Sequence, residues 1–277
     1  MRWRRLTANR LSFVALCGLL VVVMAALLAP WVAPYDPDET DAEAALSSVS
    51  LGHPLGTDIY GRDQLSRVIH AARVDLLVAL SATAIALTLG STLGALAGYR
   101  GGWVDQLLMR AVDAVMAFPA FILAMGITAA LGNSTANVVA AIAITHVPIY
   151  TRLIRGEMLK VRETEYAEAA RTVGNRPRQI VLVHLFPNCV PPLVVQATLA
   201  MGFAILTVAA LSFIGLGIQP PQSEWGQMTA EGAGYVVSGE WWLVLFPGLA
   251  IMGTVLAFNL IGDTLRDVLD PRMRGVR

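Results

Sequence analysis

The chain has 277 residues, 56% hydrophobic and 14% charged, and its twenty basic and twenty acidic residues cancel to a formal net charge of zero. Average globular domains carry about 25% charged residues. A mean hydropathy of +0.61 therefore excludes an ordinary water-soluble domain and points to a chain that crosses a membrane several times. The zero net charge excludes no partner, because the charges are segregated along the chain. Only one basic residue is a lysine, Lys160, which reads as genomic base bias.

Arg2, Arg4, Arg5 and Arg10 precede an apolar run at 11–32. At about 22 residues this run exceeds the core of a signal peptide and suffices to cross a bilayer, so it reads as an uncleaved signal anchor. Cys17 lies in mid-segment after Leu16 and reads as helix filler rather than a lipidation site; Cys189 lies beside the cytoplasmic loop, so the two are not expected to pair. Residues 36–57 form a polar loop rich in Pro and Asp. The second span, 76–97, carries Gly90, Gly94 and Gly98 at a spacing of four, a doubled small-xxx-small pattern that lets helix backbones approach closely. This helix-packing face suits a neighbour within the chain or in a second subunit. A loop with Arg100, Gly101, Gly102 and Arg110 leads to a third span at 114–131, and 132–137 is a tight turn. The fourth span, 138–154, is interrupted by Thr145, His146, Pro148 and Thr151. The fifth, 190–218, is opened by Pro191 and Pro192. An acidic loop at 219–240 precedes the sixth, 241–261, where Trp241 and Trp242 form an interfacial aromatic anchor.

Between the fourth and fifth spans lies EYAEAARTVGNRPRQIVLVHLFPN, residues 165–188. Thr164 is placed as an N-cap, and Glu165 and Glu168 fall in a first helical turn, where negative charge suits the helix dipole. Tyr166, Ala169, Ala170 and Val173 recur at helical spacing as a narrow apolar stripe. Gly174 is placed to end this helix in the left-handed conformation, with Pro177 beyond it. A second short helical pattern follows, and Pro187 is read as its stop. Two small helices joined by a glycine turn suit a docking element. They also suit an ordinary surface helix, and the pattern alone leaves both open.

Orientation follows from the basic residues. With the N-terminus inside, four lie in the N-terminal tail, two after the second span, seven around the polar stretch and four in the C-terminal tail; only Arg62, Arg67 and Arg73 lie outside. The expectation is six helices with both termini and the polar stretch in the cytoplasm.

Lys160 sits between Leu159 and Val161 and cannot serve a phosphate-binding loop of the Walker type. Ion-coupled transporters keep ionisable groups deep in their spans. Here Asp75 and Asp113 fall near span ends, Asp263 falls past the sixth, and only His146 is deep, beside Pro148, where a packed and hydrogen-bonded imidazole is favoured over a path-lining one. His53, His70, His146 and His184 are scattered and make no metal cluster. No catalytic residue, cofactor or metal is expected.

Glu168-Ala169-Ala170, then Gly174, then His184-Leu185-Phe186-Pro187-Asn188 resembles the EAA signature of ABC importer permeases. Further stretches resemble the dipeptide, oligopeptide and nickel branch of that family along nearly the whole chain: His53-Pro54-Leu55-Gly56-Thr57-Asp58, Gly61-Arg62-Asp63, Leu65-Ser66-Arg67, Gly101-Gly102-Trp103-Val104-Asp105, Ala117-Phe118-Pro119, Leu211-Ser212-Phe213, Gly215-Leu216-Gly217, Pro220-Pro221 and Leu269-Asp270-Pro271-Arg272. The resemblance implies an all-α, type I importer permease fold in the bacterial inner membrane. It divides the chain into an N-terminal tail, first helix and external loop (1–72), a five-helix permease domain (73–263) with its coupling loop at about 157–189, and a cytoplasmic tail (264–277). It also implies that Glu165, Tyr166, Glu168, Ala169, Ala170, Val173, Gly174, His184, Pro187 and Asn188 meet a cytoplasmic ATPase. The implied partners are a second, homologous permease, two ATPase subunits and an extracytoplasmic solute-binding protein. Peptides lead as solute, with nickel or another small solute behind them. An ion-coupled secondary transporter is the competing class, and the missing intramembrane carboxylates argue against it. A polytopic membrane enzyme would need a catalytic cluster that the sequence does not show.

Overall fold

The computed structural model describes residues 10–269; Arg2, Arg4 and Arg5, and the end of the C-terminal tail including Asp270-Pro271-Arg272, lie outside the described residues. Nine helices carry the described chain: α1 (Arg10–Val32), α2 (Gln64–Arg100), α3 (Gly102–Met116), α4 (Ala120–Leu131), α5 (Thr135–Val161), α6 (Glu165–Thr172), α7 (Pro177–Phe213), α8 (Trp225–Ala233) and α9 (Trp242–Leu269). Among the described residues the only strand-like pairing is an isolated bridge between Thr57 and Asp63. Helices α1, α2, α5, α7 and α9 are each long and apolar enough to cross a membrane.

The third expected span is not one helix. Its two pieces, α3 and α4, are together apolar enough to cross but meet at 84° across Ala117-Phe118-Pro119. Pro119 has no N–H to donate into α3 and restrains the residue before it to extended backbone, which ends α3. The expected loop before this span also shrinks. Gly101 and Gly102 take φ of +65° and +59°, a conformation open to glycine, and α3 starts at once.

The centre of the bundle is the α2–α5 pair. Gly90, Gly94 and Gly98 form a strip on α2 against Tyr150, Thr151, Ile154, Arg155 and Met158 of α5. A Cβ placed at Gly94 would stand 2.5 Å from the Thr151 carbonyl oxygen, one at Gly90 2.6 Å from Tyr150 Cβ, and one at Gly98 2.8 Å from Met158 Cβ. The partner that the glycine spacing left open is thus supplied from within the chain. Lipid tails are as apolar as the side chains, so such close van der Waals packing is what holds spans together.

At one end of the bundle a polar loop, 33–63, folds back on the helices. Asp63 caps α2, its Oδ2 accepting from Ser66 N–H at 2.8 Å. Arg62 and Arg67 are buried: Arg62 Nε meets Asp58 Oδ2 at 2.6 Å, and Arg67 Nη1 meets Asp58 at 2.5 Å and Glu231 Oε2 at 3.0 Å. The loop expected at 219–240 contains α8, whose Trp225 and Met228 are buried. Trp225 N–H donates to Asp75 Oδ2 at 3.2 Å and its indole to the Val68 carbonyl at 3.0 Å, which ties α8 to α2. Asp75 is therefore fully buried rather than simply near a span end.

The aromatic pair also divides. Trp241 is half-exposed, but Trp242 is buried, and its indole N–H donates to the Thr57 carbonyl at 3.1 Å. Trp242 bolts the polar loop to α9 instead of anchoring at a lipid interface. His146 is packed as expected, yet its Nδ1 has no hydrogen-bond partner.

Candidate functional site

The stretch between α5 and α7 is a helical hairpin seated at the C-terminal end of α2. Its first arm, α6, begins after Thr164, whose backbone is extended. The Thr164 hydroxyl donates back to the Val161 carbonyl at 2.6 Å and makes no side-chain cap for α6. Glu165 and Glu168 occupy the first turn, where the unpaired N–H groups favour negative charge.

The arm ends on Gly174, φ +80°. Gly174 N–H donates to the Arg171 carbonyl at 3.0 Å and Asn175 N–H to the Ala170 carbonyl at 3.2 Å, the two-bond pattern of a glycine helix cap. A side chain at Gly174 would meet nothing within 4 Å, so substitution there costs backbone strain alone. Gly174→Val is expected to strain the turn by about 1–3 kcal/mol; Gly174→Asn, which tolerates this conformation, costs less. Membrane abundance should stay near wild type for both, and protease nicking of the hairpin in isolated membranes should rise for valine more than for asparagine. Limited proteolysis measured beside membrane abundance checks this ordering.

The second arm departs from the sequence reading. Pro187 does not stop a short helix: α7 is continuous for 37 residues, through Pro187, Pro191 and Pro192. The segment Ile180–Leu185 is a wide π-helical turn, in which Phe186 N–H reaches the Val181 carbonyl five residues back. Widening the ladder just ahead of Pro187 relieves the clash a proline ring makes with the preceding turn.

Polar side chains lock the hairpin. Asn175 Nδ2 lies 3.3 Å from His184 Nε2, joining the glycine turn to the π turn, and Asn188 Nδ2 donates to the His184 carbonyl at 2.9 Å. Arg162 Nη1 donates to the Gly98 carbonyl at the end of α2 at 2.9 Å, while Arg171 Nη2 donates to the Arg162 carbonyl at 2.9 Å. Neither arginine was singled out by sequence, because their partners are backbone carbonyls that leave no charge pattern.

The apolar stripe of α6 splits between two faces. Ala167 and Ala170 are buried in the core with Ile180 and Leu185. Tyr166 and Val173 are 44% and 76% exposed, and Ala169, Glu165 and Glu168 are exposed beside them. Ala167 was missed in the sequence reading, though its three-residue spacing from Ala170 marks the inner face. The hairpin thus offers an outward surface that mixes apolar and acidic groups and has no contact inside the chain to explain it.

The family comparison gives this bundle of membrane-length helices and its polar hairpin a place. Residues 90–275 match the model described as "Binding-protein-dependent transport system inner membrane component", and residues 1–49 match the "N-terminal TM domain of oligopeptide transport permease C". The chain belongs to the family of binding-protein-dependent transport system inner membrane components. It is a multi-pass permease of the bacterial inner membrane, in a system that includes a binding protein and other subunits.

Among its relatives is the dipeptide transport system permease protein DppC of Alkalihalophilus pseudofirmus, 43% identical over 98% of this chain and 89% of the relative. The di/tripeptide transport system permease protein DppC of Pseudomonas aeruginosa is 44% identical over 98% of this chain and 91% of its own length. The glutathione transport system permease protein GsiD of Escherichia coli is 41% identical over 99% of this chain and 90% of its own length.

Proposed function

We propose that this chain is one of two permease subunits of an ATP-driven importer of short peptides, and that the hairpin at 157–189 couples it to a cytoplasmic ATPase. The observation that carries the coupling is the outward face of α6. Exposed Tyr166 and Val173 stand on a rigid hairpin next to Glu165 and Glu168, an unpaired apolar surface of the kind a partner's cleft covers. Three named relatives transport dipeptides, di- or tripeptides and glutathione, all short peptides. The residues of the coupling contact are Glu165, Tyr166, Glu168, Ala169, Val173 and Gly174, with Ala170 packed inward beneath them and His184, Pro187 and Asn188 bracing them.

The geometry supports transmission in a direct way. The hairpin is continuous in sequence with α5 and α7 and is bonded through Arg162 to the end of α2. A displacement of α6 by closing ATPases therefore moves three spans together. Helix α7, about 55 Å long at 1.5 Å per residue, carries that motion across the membrane without a joint at Pro187. ATP is hydrolysed by the partner; this chain is non-catalytic and forms half of an alternating-access path.

The bent pair α3–α4 is taken as one broken crossing, which gives six spans with both termini inside. Single cysteines at positions in 132–137 and 219–240 should then react with an impermeant thiol reagent in intact cells, and cysteines in 163–176 should not. Labelling of the hairpin in intact cells would invert the topology.

The function itself is tested by flux. In cells carrying the whole system, uptake of a labelled dipeptide should stop when ATP is depleted and continue when an ionophore collapses the proton gradient. The reverse result would make the chain part of an ion-coupled carrier.

A further inference from the structure

We propose that Asp75 and Glu224 form a proton-binding site, in which two carboxyl groups hold one proton between them, and that this shared proton fastens the first turn of α8 to α2 and α7. The site is built within one chain and is independent of the solute carried.

The first observation is the meeting of two acids in the core. Asp75, just ahead of the apolar run 76–97, and Glu224, the residue before α8, are both fully buried. Trp225 N–H donates to Asp75 Oδ2 at 3.2 Å, which brings Glu224 beside it, and the two carboxyl groups lie within hydrogen-bonding reach of each other. The turn has no slack toward α7: a Cβ at Gly226 would overlap the Ala209 carbonyl oxygen.

The charged groups on the surrounding elements are engaged away from this pair. Arg62 and Arg67 bond to Asp58 and Glu231, Asp63 to His53, and His70 Nδ1 lies 2.9 Å from the Ser66 carbonyl oxygen. Arg73 is exposed, Glu240 ahead of α9 is half-buried, and α7 carries no charged residue beyond Arg178. Two carboxylates in contact, buried and without a cation, cannot both stay ionised, because each adds to the cost of charging the other.

The second observation places the proton. Glu224 Oε1 accepts from Gly226 N–H and Oε2 from Gln227 N–H, each at 2.8 Å, and the Ser212 hydroxyl of α7 adds a third donor. Burial pushes the Glu224 carboxyl up from its usual range, and these donors pull it back. Glu224 also stands at the N-terminus of α8, where negative charge is favoured. Asp75 has one donor, on Oδ2, while its Oδ1 is buried with none. A hydroxyl at Asp75 Oδ1, donating to Glu224, completes both groups.

The far end of α8 is held differently, through Glu231 to Arg62 and Arg67. Loss of the proton sets like charges against each other at the first turn alone. That turn then lifts from α2 while the last turn stays tied. The unfolded chain binds no proton at these two groups above about pH 5, whereas the folded pair binds one. Stability therefore falls as pH rises from there, until the shared proton leaves, and each pH unit changes the unfolding constant about tenfold.

The test uses the full chain in mixed micelles, unfolded reversibly with SDS at about pH 5 and about pH 7. Over that interval the unfolding constant of the unaltered chain should rise about a hundredfold more than that of Asp75→Asn, whose amide N–H replaces the shared hydroxyl. Glu224→Gln should lose the same dependence. Infrared spectra of the unaltered chain at neutral pH should show a protonated-carboxyl band that vanishes on alkaline titration. Met228 is buried on α8 and Val237 is 97% exposed. With Cys17 and Cys189 replaced by alanine, Met228→Cys should gain reactivity toward a thiol reagent at alkaline pH, relative to Val237→Cys in the same buffer. Equal pH dependence in the unaltered chain and both carboxyl variants, or absence of the infrared band, would overturn the shared proton. A constant relative reactivity of Met228→Cys after the band has vanished would overturn the release of α8.

Discussion

Gly94→Val is expected to leave little or no folded permease in the membrane. The Cβ of any residue at 94 would stand 2.5 Å from the Thr151 carbonyl oxygen and 3.0 Å from both Arg155 N and Ile154 Cβ. Two of these three atoms are backbone and cannot rotate away, so α2 and α5 must separate. Overpacking a core typically costs 1–3 kcal/mol; separating the central helix pair adds lost contacts along both, and about 3 kcal/mol or more is expected. Gly126→Val on α4 is the matched control, because a side chain there meets nothing within 4 Å. Thermal melts of detergent-solubilised protein, followed by size-exclusion fluorescence, should show the monodisperse peak lost for Gly94→Val and kept for Gly126→Val. Equal melting of the two would mean that the glycine strip is not a packing constraint.

The second large effect falls on transport rather than folding. Val173→Asp places a carboxylate where the native side chain is 76% exposed, so the isolated chain loses almost nothing. In a protein cleft the same carboxylate is buried without a partner, at several kcal/mol. Glu168→Lys sets a positive charge in the first turn of α6, which costs the helix about 0.3–1 kcal/mol and reverses the charge presented to a partner. Both variants should reach the membrane at wild-type level, lose ATPase subunits on purification and show peptide uptake reduced by at least tenfold, equivalent to about 1.4 kcal/mol. Uptake and co-purification measured on the same membrane preparation separate a docking defect from a folding defect.

These two outcomes also mark which parts of the structure the sequence could and could not announce. Long apolar runs announce spans whatever their neighbours do, because the bilayer demands internally bonded backbone over a fixed length. Gly94 was legible because only close backbone approach places small residues in register every fourth position on one helix face. Gly174 was legible because a glycine between a helical stripe and a nearby proline has few other uses.

What failed to show was the joint between elements. Mean hydropathy is the same for a straight span and for one bent at Pro119, so the break in the third span left no trace in composition. Pro187 was read as a stop because the stop rule assumes an α-helical ladder; a π turn at Ile180–Leu185 sets that assumption aside. Arg62 and Arg67 counted as stray external charges, yet they are buried against Asp58 and Glu231, an arrangement built from partners as far as 169 residues apart. In the hairpin, the residues that meet the chain's own core, Ala167 and Ala170, and those that face outward, Tyr166 and Val173, differ only by which side of a two-turn helix they occupy. A short helix has no long period from which to choose its inner side, and the packing of α7 makes the choice.

The outward face of α6 is expected to meet an ATPase subunit, and the most direct measurement of that contact is photo-cross-linking from Val173. With a photoreactive phenylalanine analogue in place of Val173 in the assembled complex, irradiation should join the permease to the ATPase subunit, with a yield that changes between the ATP-free and ATP-trapped states. No cross-link to the ATPase in either state, from a complex that still imports peptide, would contradict it.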